Sequence, residues 1–492
     1  MTGGTGPLVL AIDQGTSSSK TSLIDETGAV ISSGAVPVKL STPAPGVVEQ
    51  SADELWRSCQ AAVDSCLEGI DAHRVAAVGL SNQRESLVLW ERATGRAVGP
   101  VISWQDQRTV ELRAELARSG HAEEVRSRSG LPLDPMFSAL KATWLLNAHD
   151  RGRRRSRAGE LCLGTVDSWL LFQMNGGSHV IELGNASRTQ LLNVQVCAWD
   201  QALLELFDVP SAVLPRILSS DGTFGRTKGL GSLPDGVPIA GVMGDSHAAL
   251  FAQRGWESGR VKATYGSGAS TMAITASSVF VPDTLCLTVA WDLGGPAWAL
   301  EGTTRSAGAT MVWLASLLDT TPDRLFELAA NSASNGVSVV PAFNGLAAPW
   351  WDDAAVGLVS GLTYATQREH LARAVLESIA HQVEDVVSAL EQEGVAVTTL
   401  LADGGPASNA TLMQFQSDIG GRRIERARVQ NLSALGVAHA AGLSVGLWSW
   451  EDLERLDRSF DLYQPQMSEE GRHHVRAGWA EAVHRSRLTS IR

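Results

Sequence analysis

Cysteine is scarce and scattered. Cys59, Cys66, Cys162, Cys197 and Cys286 form no C-x-x-C pair and no metal-ligand spacing, which weighs against a thiolate metal site. An odd number of mostly apolar-flanked cysteines predicts buried free thiols in a reducing compartment. No basic n-region precedes Leu8, and Asp13 breaks the apolar run that follows, so no signal peptide is expected. No uncharged apolar stretch is long enough to span a bilayer. Positive charge is in deficit: 40 Lys+Arg against 53 Asp+Glu leave a net charge of -13. That balance disfavours nucleic acid and anionic membrane as partners. The one basic cluster, RGRRRSR at 151–157, reads as a solvated surface loop. A soluble, cytoplasmic protein is expected.

A chain of 492 residues, 44% hydrophobic and 19% charged, exceeds one typical core and predicts two or more globular domains. Strand and helix patterns alternate along it, an α/β signature. The stretch LVLAIDQGTSSSKTS (residues 8–22) stops an apolar strand on Asp13 and follows it with a glycine and hydroxyls. It is no Walker A loop, because Ser19 stands where a second glycine must precede the lysine. It reads instead as a hairpin: strand Val9–Ile12, a tight turn at Gly15, and a returning strand Thr21–Ile24. Such a tip can cradle phosphate oxygens, and Asp13 can hold a hydrated Mg²⁺. An ordinary hairpin with a polar tip is the competing reading.

Further along, a helical stretch ends at Gly69 and a buried strand follows at Val75–Ser81. PIAGVMGD (Pro238–Asp245) is another strand ending on glycine and aspartate. VKATYGSGASTMAIT (Val261–Thr275) repeats the first motif: strand, tip at Gly266, Ser267 and Gly268, returning strand. Two related α/β domains with a cleft between them are therefore expected, residues 1–250 and 251–492. Small-molecule sites favour such clefts. A long amphipathic helix carries Leu371, Val375, Ile379, Val383 and Val386 at helical spacing and ends at Gly394. After it, LADGGPASN (Leu401–Asn409) turns on glycines into a helix N-terminus, a ready anion or nucleotide site.

DQGTSSSK, NQRE (Asn82–Glu85), GDSH (Gly244–His247) and LADGGPASN together resemble the FGGY carbohydrate kinases, and within them the glycerol kinases. WQDQRT (Trp104–Thr109), MFSALKATWLL (Met136–Leu146), GNASRTQLLNV, VVPAFNGLAAPWWD, GLVSGLTYATQREHLARAVLE and LMQFQSDI extend the likeness over nearly the whole chain. The resemblance implies two actin-like, RNase H-like domains with a nucleotide and substrate cleft between them. It implies a kinase that moves the γ-phosphate of ATP, with Mg²⁺, to a hydroxyl of a small polyol or sugar. It places Thr16, Ser17 and Lys20 at the transferred phosphate, Asp13 at the metal, and Asp245 as the base on the acceptor hydroxyl. Arg84 and Glu85 would bond the acceptor and Trp104 would wall it. Gly266, Ser267 and Gly268 would hold phosphates, and Gly308, Gly405 and Asn409 the ribose and adenine. Taken alone, Asp245 would read as a helix cap, Arg84 and Glu85 as a surface ion pair, and His247 as a helix histidine with no partner histidine or cysteine at ligand spacing.

Three pocket positions depart from glycerol kinases. Met136 replaces a tyrosine, Ser246 a glutamine and Ser270 a phenylalanine. Each smaller or non-aromatic side chain enlarges the cavity, and the serines add hydroxyls. The expected acceptor is therefore a polyol or ketose of four or five carbons. Glycerol itself stays open, because side chains from other loops can refill the space. A pentulose, as in xylulokinases, is a further alternative. Lys20 stands where glycerol kinases usually have arginine, and it keeps the charge without the planar fork. Gly236 replaces an arginine that binds fructose 1,6-bisphosphate in some of them, so that regulation is not expected. A non-catalytic actin-like nucleotide switch is the alternative from another class, and a homodimer or homotetramer is left open.

Overall fold

Alternation in the first strand sets the architecture. Leu8, Leu10 and Ile12 enter one hydrophobic cluster while Val9 and Ala11 enter another, so the strand Leu8–Gln14 is buried on both faces. In the computed structural model, which describes residues 6–276 and 281–488, this strand is the centre of a five-stranded sheet. The order is Ile239–Gly244, Val75–Asn82, Leu8–Gln14, Ser18–Asp25, Val30–Pro37. The first three strands run parallel and the last three form an antiparallel meander. Helix Ala52–Leu67 covers one face, with Leu55, Cys59, Val63 and Cys66 in the core beside Trp90 and Trp169. It starts under a Ser51 cap that accepts from Glu54 N–H and is followed by Gly69 at φ +73°.

The second half builds the same unit again. Arg423–Ala427, Thr399–Asp403 and Arg260–Tyr265 run parallel, followed by the antiparallel neighbours Ala269–Thr275 and Pro296–Thr304. Cys286–Asp292 and Phe460–Tyr463 extend this sheet to seven strands. The repeat read from two hairpins of negligible identity is thus a repeat of five strands in one order and one set of directions. Helix Arg368–Gln392 lies against the second sheet through Val375, Ile379, Val383 and Val386, all fully buried.

One element crosses between the halves. Helix Leu432–Ser444, late in the chain, docks on the first sheet beside helix Asp245–Ala252. Glycine makes the approach possible: a Cβ at Gly436 would collide with the Ala248 carbonyl oxygen, and one at Gly241 would lie 2.6 Å from Ala441 N. Gly436→Ala is expected to cost about 1–3 kcal/mol by overpacking and to lower Tm by several degrees. Gly478→Ala, on the open side of helix Glu469–Arg487, is expected to hold or raise Tm, since alanine favours helix by up to about 1 kcal/mol. Differential scanning calorimetry of the pair checks both signs.

The basic cluster is not a solvated loop throughout. Residues Arg154–Arg157 form a short helix, and Arg153 is 2% exposed. Its guanidinium donates to Asp208 O and Asn147 Oδ1 and pairs with the Asp208 carboxylate at 3.0 Å. Fixed acceptors replace water there, so one arginine of the run is structural. Four of the cysteines are buried, Cys197 is half-buried, and all five are free thiols. Among the described residues no helix is long and apolar enough to cross a membrane.

Candidate active site

The first hairpin closes as its sequence predicts. Gly15 N–H donates to Ser18 O at 3.0 Å, and Asp13 and Lys20 face each other across the paired strands. The Thr16 hydroxyl accepts from the Trp104 indole N–H at 3.0 Å. Gln50 Nε2 donates to Thr16 O and Val38 N–H to Ser17 O. The tip is therefore held from outside, and Trp104 is tied directly to it.

Asp13 is 8% exposed and accepts from the Ser81 hydroxyl at 3.1 Å. Burial pushes its carboxyl up to about 6, and the Asp245 charge adds to that. Among the described residues no group of three or more His, Cys, Asp or Glu could cage a metal. Mg²⁺ asks for less: one or two carboxylates, with water and phosphate oxygens completing its shell. Asp13, with Asp245 near enough to raise it, fits that demand.

Asp245 opens helix Asp245–Ala252 directly after the strand Ile239–Gly244. No side chain caps this helix. The carboxylate instead accepts from Ser246 N–H at 2.6 Å and lies 3.5 Å from Arg84 Nε. Its side chain is 40% exposed to the cleft. Burial of the remainder raises the carboxyl, and Arg84 opposes the rise.

Arg84 and Glu85 are no surface pair, being 8% and 5% exposed. Arg84 forks onto Glu301 at 2.7 and 3.0 Å and touches His247 Nε2 at 3.3 Å. Glu85 takes φ +61°, and Arg188 Nε donates to its Oε1 at 2.6 Å. His247 is fully buried in this cluster, with arginine and no histidine or cysteine as its hydrogen-bond partner. Burial and the Arg84 charge push its imidazole well below the usual range. The neutral ring thus accepts from Arg84 at Nε2, while Nδ1 has no partner.

The three departures from glycerol kinases fall beside this cluster. The Ser270 hydroxyl donates to Glu301 Oε1 at 2.8 Å, and Ser246 Oγ accepts from Lys262 Nζ at 3.0 Å. Each hydroxyl thus meets a charged, buried partner: Ser270 gives its proton to Glu301, while Ser246 accepts from Lys262 and keeps its own O–H to donate. Met136 is half-buried and packs with Leu131, Phe137 and Cys286. Its carbonyl, with that of Phe137, is fixed by the buried Lys141 ammonium, whose pKa burial lowers to about 8 against the pull of Glu85.

The second hairpin adjoins the elements expected to hold a nucleotide. Gly266 N–H donates to Gly268 O at 2.8 Å, and Gly308 N–H donates to Gly266 O at 2.9 Å. A Cβ at Gly308 would lie 2.7 Å from Gly266 O and 3.0 Å from Pro406 Cγ, so Gly308 and the Gly405 turn converge on the hairpin. Ala307 and Ala309 N–H both donate to Ser267 O. Asn409 caps helix Ala410–Gly420 through Leu412 N–H, so its carbonyl oxygen is engaged. Gly405 faces open space.

Four side chains of this cluster escaped the sequence reading: Glu301, Arg188, Lys262 and Lys141. Arg188 lies inside GNASRTQLLNV, Lys262 inside VKATYGSGASTMAIT and Lys141 inside MFSALKATWLL, stretches in which nothing local marks these side chains as site residues. Glu301 had one signal, a lone acid in the strand PAWALEGTT.

The models of the FGGY family of carbohydrate kinases match this chain at residues 8–252 for the N-terminal domain and 261–445 for the C-terminal domain. Glycerol kinase of Aromatoleum aromaticum is 42% identical over 491 residues, covering 97% of this chain and 98% of its own. That of Oceanobacillus iheyensis is 39% identical with the same coverage. The crystal structure of Plasmodium falciparum glycerol kinase with ADP aligns with a TM-score of 0.91 at 30% identity, covering 98% of each chain. Ligand-bound xylulose kinase of Lactobacillus acidophilus aligns at 0.89 over 99% of each chain, but at 21% identity it speaks for the fold alone. The doubled five-stranded sheet, the two glycine hairpins and the match along both domains have one meaning: this chain belongs to the FGGY family of carbohydrate kinases.

Proposed function

We propose that this protein transfers the γ-phosphate of ATP to a hydroxyl of a small polyol or sugar, with Asp245 as the base. The observation that carries this reading is Asp245 itself: a carboxylate on the cleft wall, 3.5 Å from Arg84 and near Asp13. Phosphoryl transfer needs positioning of the acceptor, a place for its proton and neutralisation of phosphate charge. Arg84 and Glu85 orient the acceptor hydroxyls, Trp104 walls the carbon chain, and Asp245 takes the proton. The two hairpins, at Thr16, Ser17 and Lys20 and at Gly266, Ser267 and Gly268, hold the phosphates from opposite sides. Gly308, Gly405 and Asn409 receive the nucleoside. Mg²⁺, when held at Asp13 with the nucleotide, supplies charge neutralisation on the phosphate oxygens.

The acceptor in this reading is longer than glycerol, a polyol or ketose of four or five carbons. Met136, Ser246 and Ser270 leave room where glycerol kinases have Tyr, Gln and Phe. Glycerol is the second reading, favoured by relatives near 40% identity that carry its name. A nucleotide switch has no use for an acceptor pair such as Arg84 and Glu85. ADP release, coupled to an optical readout, is expected to depend on added acceptor across glycerol, tetritols, pentitols and pentuloses. ATP turnover indifferent to every one of them would sink the kinase reading.

A further inference from the structure

Arg84 and Glu85 do not stand alone in the cleft. Arg84 forks onto both Glu301 oxygens, Glu301 Oε2 also lies 2.8 Å from Arg188 Nη1, and Arg188 Nε reaches Glu85 Oε1 at 2.6 Å. Glu85 Oε1 lies 3.9 Å from Arg84 Nε, which closes a ring of four alternating charges. Their side chains are 9%, 1%, 1% and 6% exposed in ring order. Burial favours a neutral Glu301, but Arg188 and Arg84 hold its carboxyl well below the usual range. A buried ion cluster of this kind is a weak source of stability, since apolar side chains of equal volume commonly do as well. It does fix orientation. Arg188 stacks over the Phe137 ring at 5.1 Å, Ser138 Oγ donates to Glu85 O, and Glu85 is kept at a positive φ that costs a non-glycine residue energy.

The ring draws on both domains. Arg84, Glu85 and Arg188 belong to the first, whereas Glu301 sits in the second sheet on strand Pro296–Thr304, opposite Met272. Three residues on, Thr304 Oγ1 accepts from Ala269 N–H, beside the tip at Gly266–Gly268. Ser270 Oγ, next along, donates to Glu301. A contiguous set of bonds therefore runs from the second phosphate hairpin through Glu301 to the acceptor pair.

We propose that Glu301 and Arg188 are positioning residues of the acceptor site, and that Glu301, carried by the nucleotide-side sheet, couples acceptor affinity to nucleotide occupancy. The proposal rests on the kinase reading above. Glu301→Gln keeps the shape and removes the charge. Its acceptor KM is expected to rise about 10–100-fold, the worth of hydrogen bonds to charged groups, with a smaller change in kcat. Affinity for a non-hydrolysable ATP analogue without acceptor should stay near wild type. The factor by which that analogue tightens acceptor binding, and the reciprocal factor, should fall toward one.

Glu301→Gln/Arg188→Gln restores neutrality should the single variant fail to fold. Its own acceptor KM should then be raised and its coupling factor lowered against wild type; where both singles fold, its KM rise should be less than the product of theirs, because both act through one ring. Steady-state kinetics and calorimetric titration, with glycerol and four- and five-carbon polyols as acceptors, read these quantities. Folded variants with wild-type acceptor KM and coupling overturn the proposal. So does an equal loss of analogue and acceptor affinity, the mark of a merely structural role. In both of those outcomes the wild type still turns over. Should the wild type phosphorylate no acceptor, the kinase reading itself fails and the proposal falls with it.

Discussion

Asp245→Asn is expected to lower kcat by at least ~100-fold, the usual scale for losing a positioned general base, while leaving ATP-analogue and acceptor binding within a few fold of wild type. The substitution separates two roles that the sequence leaves entangled. Asparagine caps helices as well as aspartate does, so a capping role predicts nearly unchanged activity and stability. It also keeps the oxygen that accepts from Ser246 N–H at 2.6 Å. What it loses is the charge 3.5 Å from Arg84 and the ability to take a proton. Stopped-flow ADP release, with binding followed by calorimetry, reads turnover and affinity separately. Near-normal kcat would end the assignment of Asp245 as base. A large loss of acceptor affinity would instead point to Asp245 as a binding group.

The second large effect concerns the acceptor. Wild-type protein is expected to show higher kcat/KM for at least one four- or five-carbon acceptor than for glycerol. A methylene-sized contact in a pocket is worth about 1–3 kcal/mol, so the preference should be roughly 10–200-fold. Ser270→Phe with Met136→Tyr should move that ratio toward glycerol. The phenyl ring refills the volume at Ser270, and the phenol supplies a hydroxyl that Met136 lacks. The first change also removes the Ser270 donor to Glu301, while Arg84 and Arg188 still hold that carboxylate. The two positions share neighbours through Phe137, Arg188 and Glu301, so the double variant must be compared with both singles. Because Ser270 already gives its proton to Glu301, whereas Ser246 accepts from Lys262 and keeps its O–H, the preference should arise from space, with Ser246 the one serine free to donate a new hydroxyl bond. A wild type that prefers glycerol over every longer acceptor would show the pocket to be refilled, and the protein to act as a glycerol kinase.

Much of this protein is written locally. The continuous apolar run Leu8–Ile12, the glycine-and-hydroxyl tips and the long apolar stripe from Val375 to Val386 are short-range patterns, and each became the element it predicted. The same is true of Asp245, because a strand ending on glycine and aspartate delivers that side chain to a sheet's edge wherever the sheet lies. Tertiary structure alone decided the rest. Arg84 meets Glu301 across 217 positions, and Arg188 meets Glu85 across 103. Side-chain pairs at such separations leave no periodic trace. A lone acid in an apolar strand announces a buried charge and says nothing of its partner. Nor could composition tell that the hydroxyls of Ser246 and Ser270 answer to Lys262 and Glu301, since a hydroxyl bonds whatever the fold brings within reach. Helix Leu432–Ser444 reaches the first sheet for a like reason. The glycines that admit it lie on separate elements, and their fit exists only once the chain has closed on itself.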